Sequence, residues 1–100
     1  MCPTPTYVTL YKWTDQAAKD VKNAPARFQA SNKLAESLGG KILNIYVTMG
    51  EYDVIVVSES PSDEVAAAIA LSIASKGNVK SLTMRAFTEG EFAQIVKKVP

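Results

Sequence analysis

Two apolar runs flank Gly50-Glu51, and the turn between them restricts this chain more than any other feature. A two-residue loop with glycine first is a type II′ turn, whose twist matches that of the strands it joins. The spacing therefore predicts a hairpin with Met49 opposite Tyr52, Thr48 opposite Asp53, Val47 opposite Val54, Tyr46 opposite Ile55, Ile45 opposite Val56 and Asn44 opposite Val57. Successive strand side chains alternate sides. Leu43, Ile45, Val47, Val54 and Val56 are thus expected on one aliphatic face, and Asn44, Tyr46, Thr48, Asp53, Ile55 and Val57 on the other. A slip of one residue would exchange the two sets.

Around the hairpin the periodicity changes repeatedly. Thr6 to Trp13 alternates Tyr7, Thr9, Tyr11 and Trp13 against Val8, Leu10 and Lys12, the period of a strand. Thr14 suits an N-cap with Asp15 in the positive first turn, and Pro25 must break or restart that helix near Asn23. The restarted piece carries Phe28, Leu34, Ala35 and Leu38 on one side and stops at Gly39-Gly40. After Ser60-Pro61-Ser62, residues 63–76 read as a helix with Val65, Ile69 and Ile73 spaced by four, its alanines allowing close approach to a sheet. Val79 to Phe87 alternates again, and Thr88 with Glu91 forms a capping box ahead of a short amphipathic helix with Phe92, Ile95, Val96 and Val99 on one stripe.

The order βαββαβ plus a C-terminal helix implies an α+β, ferredoxin-like domain over residues 1–100, with an antiparallel four-stranded sheet. Both crossover helices fall on one face, because such crossovers are right-handed. The aliphatic set is expected beneath the helices. The open face would then hold Tyr7, Thr9, Tyr11 and Trp13, Ile42, Asn44, Tyr46 and Thr48, Asp53, Ile55 and Val57, and Ser81, Thr83, Arg85 and Phe87. Four strands ~4.8 Å apart and ~20 Å long make a face of roughly 300–400 Å², comparable to the largest apolar patches monomers tolerate. A second copy is expected to cover it, giving a homodimer or a higher homo-oligomer.

Composition removes several functions. With 11 basic and 10 acidic residues and a net charge of +1, the chain lacks the basic stripe that binds nucleic acid or an anionic membrane. No run approaches ~20 apolar residues, so no membrane span is expected. Cys2 is the only cysteine, which precludes an internal disulfide, and the first residues lack the basic and apolar regions of a signal peptide. A cytoplasmic setting follows, with Cys2 as a mobile terminal residue or a reactive thiol. There is no histidine, so a His-ligated haem, a His-based zinc site and a His general base are excluded, and neither cofactor nor metal is expected.

Gly50-Glu51-Tyr52-Asp53 after Val47-Thr48-Met49, with Gly77-Asn78-Val79 and Arg85-Ala86-Phe87-Thr88 downstream, resembles the GYD-domain family over nearly the whole chain. That family is similar to the dimeric α+β barrels, in which two ferredoxin-like sheets pack face to face. The resemblance implies the fold and the dimer, and carries no agreed activity.

Tyr11, Trp13, Thr48, Tyr52 and Asp53 are the candidate ligand-binding residues, gathered at one rim of the sheet with Ser81, Lys12 and Lys80 nearby. The N-terminus at Thr14 would offer N–H groups to an anion. Asp53 is the best candidate for catalysis, since a carboxylate among aromatics can work as a base. The alternative gives every one of these residues a structural role, in which Asp53 satisfies turn N–H groups, Tyr11 and Trp13 pad the dimer interface, and Lys12 lies along the sheet. Arg85, at the opposite end near Tyr7, suits an anion contact or a bond to carboxylate or carbonyls across the interface. The leading functional reading is a homo-oligomeric small-molecule-binding module with an amphipathic pocket at the sheet face. Its rival is a cofactor-independent monooxygenase or isomerase acting on a small aromatic or enolisable compound.

Overall fold

Beneath the helices lies a layer of tyrosines, which fixes how the whole sheet is oriented. The computed structural model describes residues 4–100, so Cys2 lies outside the described residues. In order come β1 (Thr6–Trp13), α1 (Asp15–Lys19), a 3₁₀ turn (Val21–Asn23), α2 (Ala24–Ser37), β2 (Lys41–Val47), β3 (Val54–Glu59), α3 (Asp63–Ala74), β4 (Val79–Ala86) and α4 (Glu89–Val96). The sheet is antiparallel with strand order β2-β3-β1-β4, the ferredoxin-like arrangement expected from the sequence.

The β2–β3 register agrees with the expected one from Asn44–Val57 to Val47–Val54. The turn itself is looser than a two-residue loop. Thr48 closes it, with its N–H donating to the Asp53 carbonyl at 2.8 Å and its hydroxyl to the Tyr52 carbonyl at 2.6 Å. Gly50 has φ +114°, so glycine is needed there even without the tight turn.

Two expectations about facing are corrected. In β1, Tyr7, Thr9 and Tyr11 are buried on the helix side, not displayed on the open face, and Trp13 packs against the core with them. The reason is the cross-strand register: Tyr11 lies opposite Val54 and Ser81, and Thr9 opposite Val56 and Thr83, so these residues share the face that the helices cover. Ser81, Thr83 and Arg85 move with them. Helices rich in alanine bring little volume to the layer, with Ala17, Ala24, Ala35 and Ala66 all buried. The rings of β1 fill the space that larger helix residues would otherwise occupy. Burial, and after it the Asp63 carboxylate to which its hydroxyl donates, hold the Tyr7 phenol above its ordinary pKa.

The second correction is a β-bulge. Ile42 pairs with Ser58 and Asn44 with the adjacent Val57, leaving Leu43 as the extra residue. Ile42 therefore packs with Ile45 against the core, and Leu43 is exposed instead of joining the aliphatic face.

The open face consists of two rows running across all four strands, Tyr46–Ile55–Leu10–Leu82 and Asn44–Val57–Val8–Met84. It is more aliphatic than expected. Lys12 and Lys80 lie opposite each other at one end of it, not on the helix side.

Helix ends follow the sequence signals. Thr14 caps α1 at the Ala17 N–H and Ser62 caps α3 at the Val65 N–H. At the end of α2, the Gly39 N–H bonds to the Glu36 carbonyl and the Gly40 N–H to the Ala35 carbonyl, a Schellman motif with Gly39 at φ +89°. Thr88 and Glu91 form the capping box of α4, and Arg85 adds an ion pair to Glu91 at 3.6 Å. The Thr88 N–H, more than Arg85, holds the Glu91 carboxyl below its ordinary range. The apolar stripe of α4 and the residues after it is largely open, with Phe92 59%, Val96 50% and Val99 66% exposed, while Ile95 is partly buried.

Candidate functional site

The core is incomplete where α2 and α3 pass over the sheet. A cleft of about 100 Å³ lies between them. Its floor is the buried cluster of Tyr11, Val54 and Val56, and Phe28 from α2, Ile73 from α3 and Ile42 and Ile45 from β2 stand around it, each only partly buried. Trp13, Arg27, Lys76 and Asn78 also line it. The cause is local to α2. Where a core-facing helix usually carries large aliphatic residues, this one presents Ala30 and Ser31 to the cleft, so Phe28 has no bulky neighbour one turn further on.

The interior is apolar and its charges are basic. Arg27 is already engaged, donating to the Asp20 carbonyl at 2.9 Å and to the Asp20 carboxylate at 3.3 Å. Asn78 accepts a hydrogen bond from the Gln16 amide at 3.0 Å through its side-chain oxygen. Among the described residues, no acidic side chain lines the cleft. Burial holds the Tyr11 phenol above its ordinary pKa, so the floor is neutral throughout the physiological range.

The five residues singled out in the sequence divide into two groups. Tyr11 and Trp13 line the cleft. Thr48, Tyr52 and Asp53 do not, and belong to the loop that closes the hairpin. Two hydrogen bonds of Asp53 connect the groups: its carboxylate accepts the backbone N–H of Trp13 at 2.8 Å, and its N–H donates to the Tyr11 carbonyl at 2.9 Å. Asp53 thus fastens the end of β1 to the hairpin. Lys12 caps this end from the other side, 5.2 Å from the Tyr52 ring centroid and 3.5 Å from Glu51. The Thr14 hydroxyl is committed to the Gly77 carbonyl and the Ala17 N–H. In the sequence, Phe28, Ile45 and Ile73 read only as core and Ile42 as open face. The one signal for a gap beside them is the pair of small residues at Ala30 and Ser31.

Arg85 is satisfied within its own chain. Its guanidinium donates to the Thr6 carbonyl at 3.2 Å and to the Ala86 carbonyl, and lies 4.6 Å from the Phe87 ring centroid.

Removing the Asp53 acceptor strands the Trp13 N–H. Asp53→Ala is expected to cost about 1–3 kcal/mol, and Asp53→Asn, which keeps one acceptor oxygen, clearly less. Urea denaturation of the two variants measures this, and equal midpoints for both would remove the bond from the account.

The GYD-domain profile matches residues 7–96, the span from the first buried tyrosine to the end of α4. The chain belongs to the GYD-domain family. This GYD-domain chain is 31% identical over 83 residues to the glutamine synthetase and cystathionine beta-lyase binding protein of Thermus thermophilus, covering 82% of this chain and 87% of that protein. Among solved structures, it is similar to a protein of Thermus thermophilus (TM-score 0.54, 20% identity, 84% of this chain and 94% of that one). It is also similar to the feast or famine regulatory protein of M. tuberculosis complexed with L-methionine (TM-score 0.63, 15% identity, 84% of this chain). The GYD-domain chain spans 50% of that regulator's length, and likeness at this identity shows the fold alone. Among the described residues, no helix is long and apolar enough to cross a membrane.

Proposed function

We propose that this GYD-domain chain is a homo-oligomeric module that binds a small molecule in the cleft between α2 and α3. The cleft itself carries the reading. An apolar void forfeits packing, yet small residues at Ala30 and Ser31 keep this one open beside aromatic walls. Apolar cavities of ~150 Å³ stay dry and take up benzene, so about 100 Å³ with an open mouth suits a ring or a short branched chain. The amphipathic pocket thus moves from the sheet face to the helix side, and of the five candidates Tyr11 and Trp13 remain its contact residues. Thr48, Tyr52 and Asp53 act as support.

Filling the gap tests this. Ser31→Leu should stabilise the fold by about 0.5–2 kcal/mol and abolish the response of Trp13, the sole tryptophan, to benzyl alcohol. If benzyl alcohol perturbs the indole resonance of Trp13 equally in both proteins, the cleft is not the site.

The oligomer is supported by the open sheet face, whose two aliphatic rows include Leu82 at 49% and Met84 at 40% exposure. Face-to-face pairing of two sheets, as in the dimeric α+β barrels, buries them. One domain over residues 1–100, working in the cytoplasm, belongs to the same reading. The oxygenase or isomerase alternative requires a base at the ligand, and Asp53 lies outside the cleft lining with its carboxylate on the Trp13 N–H. A protein-partner role has one observation in its favour: the exposed stripe of α4, in a chain whose Thermus relative is named for binding two enzymes.

A further inference from the structure

We propose that the molecule taken by the cleft is a small organic monoanion, with an apolar group about the size of a benzene ring inside and a carboxylate held at the mouth by Lys76 and the Asn78 amide. This rests on the cleft being a binding site. The lining supplies the selectivity, since among the described residues Arg27 and Lys76 are its only charged side chains, with no aspartate or glutamate beside them. The two cations differ. Arg27 has its charge offset by Asp20 at 3.3 Å and spends further donors on the carbonyls of Asp20 and Ala17, so it serves as a wall. Lys76 is exposed just beyond the end of α3, and among the described residues no carboxylate lies within ion-pair distance of its ammonium.

Asn78 complements it. Its side-chain oxygen accepts from Gln16, which leaves the NH₂ group to donate. An ammonium and an amide donor beside an apolar chamber match a carboxylate and repel an amine. The interior can take no charge, because its floor is Tyr11, Val54 and Val56 and a buried unpaired ion is prohibitively costly. The ligand must therefore carry its charge at one end. Lys76 also follows the C-cap of α3, where a cation can stabilise the helix end without selecting any ligand.

Phenylacetate, phenylacetamide and 2-phenylethylamine separate these possibilities, since they share a ring and differ in the charge of the head. Titrations followed by the Trp13 indole resonance should show phenylacetate binding at least 10-fold more tightly than phenylacetamide, and 2-phenylethylamine more weakly than either. Lys76→Gln should bring phenylacetate down to the level of the amide and leave the amide unchanged, and Lys76→Arg should restore most of the preference. Equal binding of acid and amide, or a preference that survives Lys76→Gln, overturns the assignment of the head group while the cleft stands. Failure of all three probes at millimolar concentration, with Ser31→Leu indistinguishable from the parent, removes the cleft as a site and this inference with it.

Discussion

Tyr11→Ala is expected to lower fold stability by about 3–5 kcal/mol, a large share of the ~5–15 kcal/mol that a domain of this size possesses. Its ring is 7% exposed, forms the floor of the cleft with Val54 and Val56, and belongs to a central strand of the sheet. The helix residues beside the ring, Phe28 and Ile73, already stand at the cleft, and Ala30 and Ser31 next to them are too small to refill the void. Urea denaturation should show a lower midpoint with an unchanged slope. Leu71→Ala is the control, since that side chain is 71% exposed on α3, away from the proposed interface. It should change stability by less than about 1 kcal/mol. If the two variants lose stability equally, the burial of Tyr11 beneath the helices is wrong.

Leu10→Glu acts on the other side of the same strand. Leu10 stands in the middle of the row Tyr46–Ile55–Leu10–Leu82, with neighbours on both flanking strands. In the proposed oligomer a carboxylate there meets the partner's apolar face without a counter-charge, and an unpaired buried charge costs about 3–5 kcal/mol. The dissociation constant should rise by roughly 10²-fold or more, read by sedimentation, with circular dichroism checking that the fold survives. Lys33→Glu, on the exposed side of α2, should leave assembly unchanged. A Leu10→Glu protein that sediments as the parent does would exclude the sheet face as the interface.

What can be read from the residues is whatever neighbouring residues decide. The Thr14, Ser62 and Thr88 caps, the Gly39 stop, the Pro25 restart and the β2–β3 register all depend on contacts within a few positions, and all stand in the structure. Facing in β1 and β4 depends instead on partners more than forty residues away. Both sides of β1 are apolar enough to be buried, Tyr7, Thr9 and Tyr11 on one and Val8 and Leu10 on the other, so alternation alone cannot choose. The choice comes from the volume the helices lack. Leu43 escapes for a similar reason, because the adjacent Ile42 and Leu43 give no alternation from which an extra residue can be recognised. The cleft is legible only as a deficit, at Ala30 and Ser31 on a helix whose opposite side reads as ordinary. The tie between Asp53 and the hairpin end is legible too, but its bond to the backbone of Trp13 is a tertiary contact that no local pattern announces.

The strand order has a consequence for how the molecule comes into being. β1 leaves the ribosome well before its neighbours in the sheet, β3 and β4, which begin at Val54 and Val79. At about 5–20 residues per second, the strand waits several seconds with both faces and both edges open. The hairpin of β2 and β3 closes locally and quickly, whereas β1 must be captured across long loops, the slower kind of pairing. The stretch Tyr7–Tyr11 is thus the segment most in need of protection in the nascent chain. The charge of Lys12 at its C-terminal end guards it during that interval and not only afterwards.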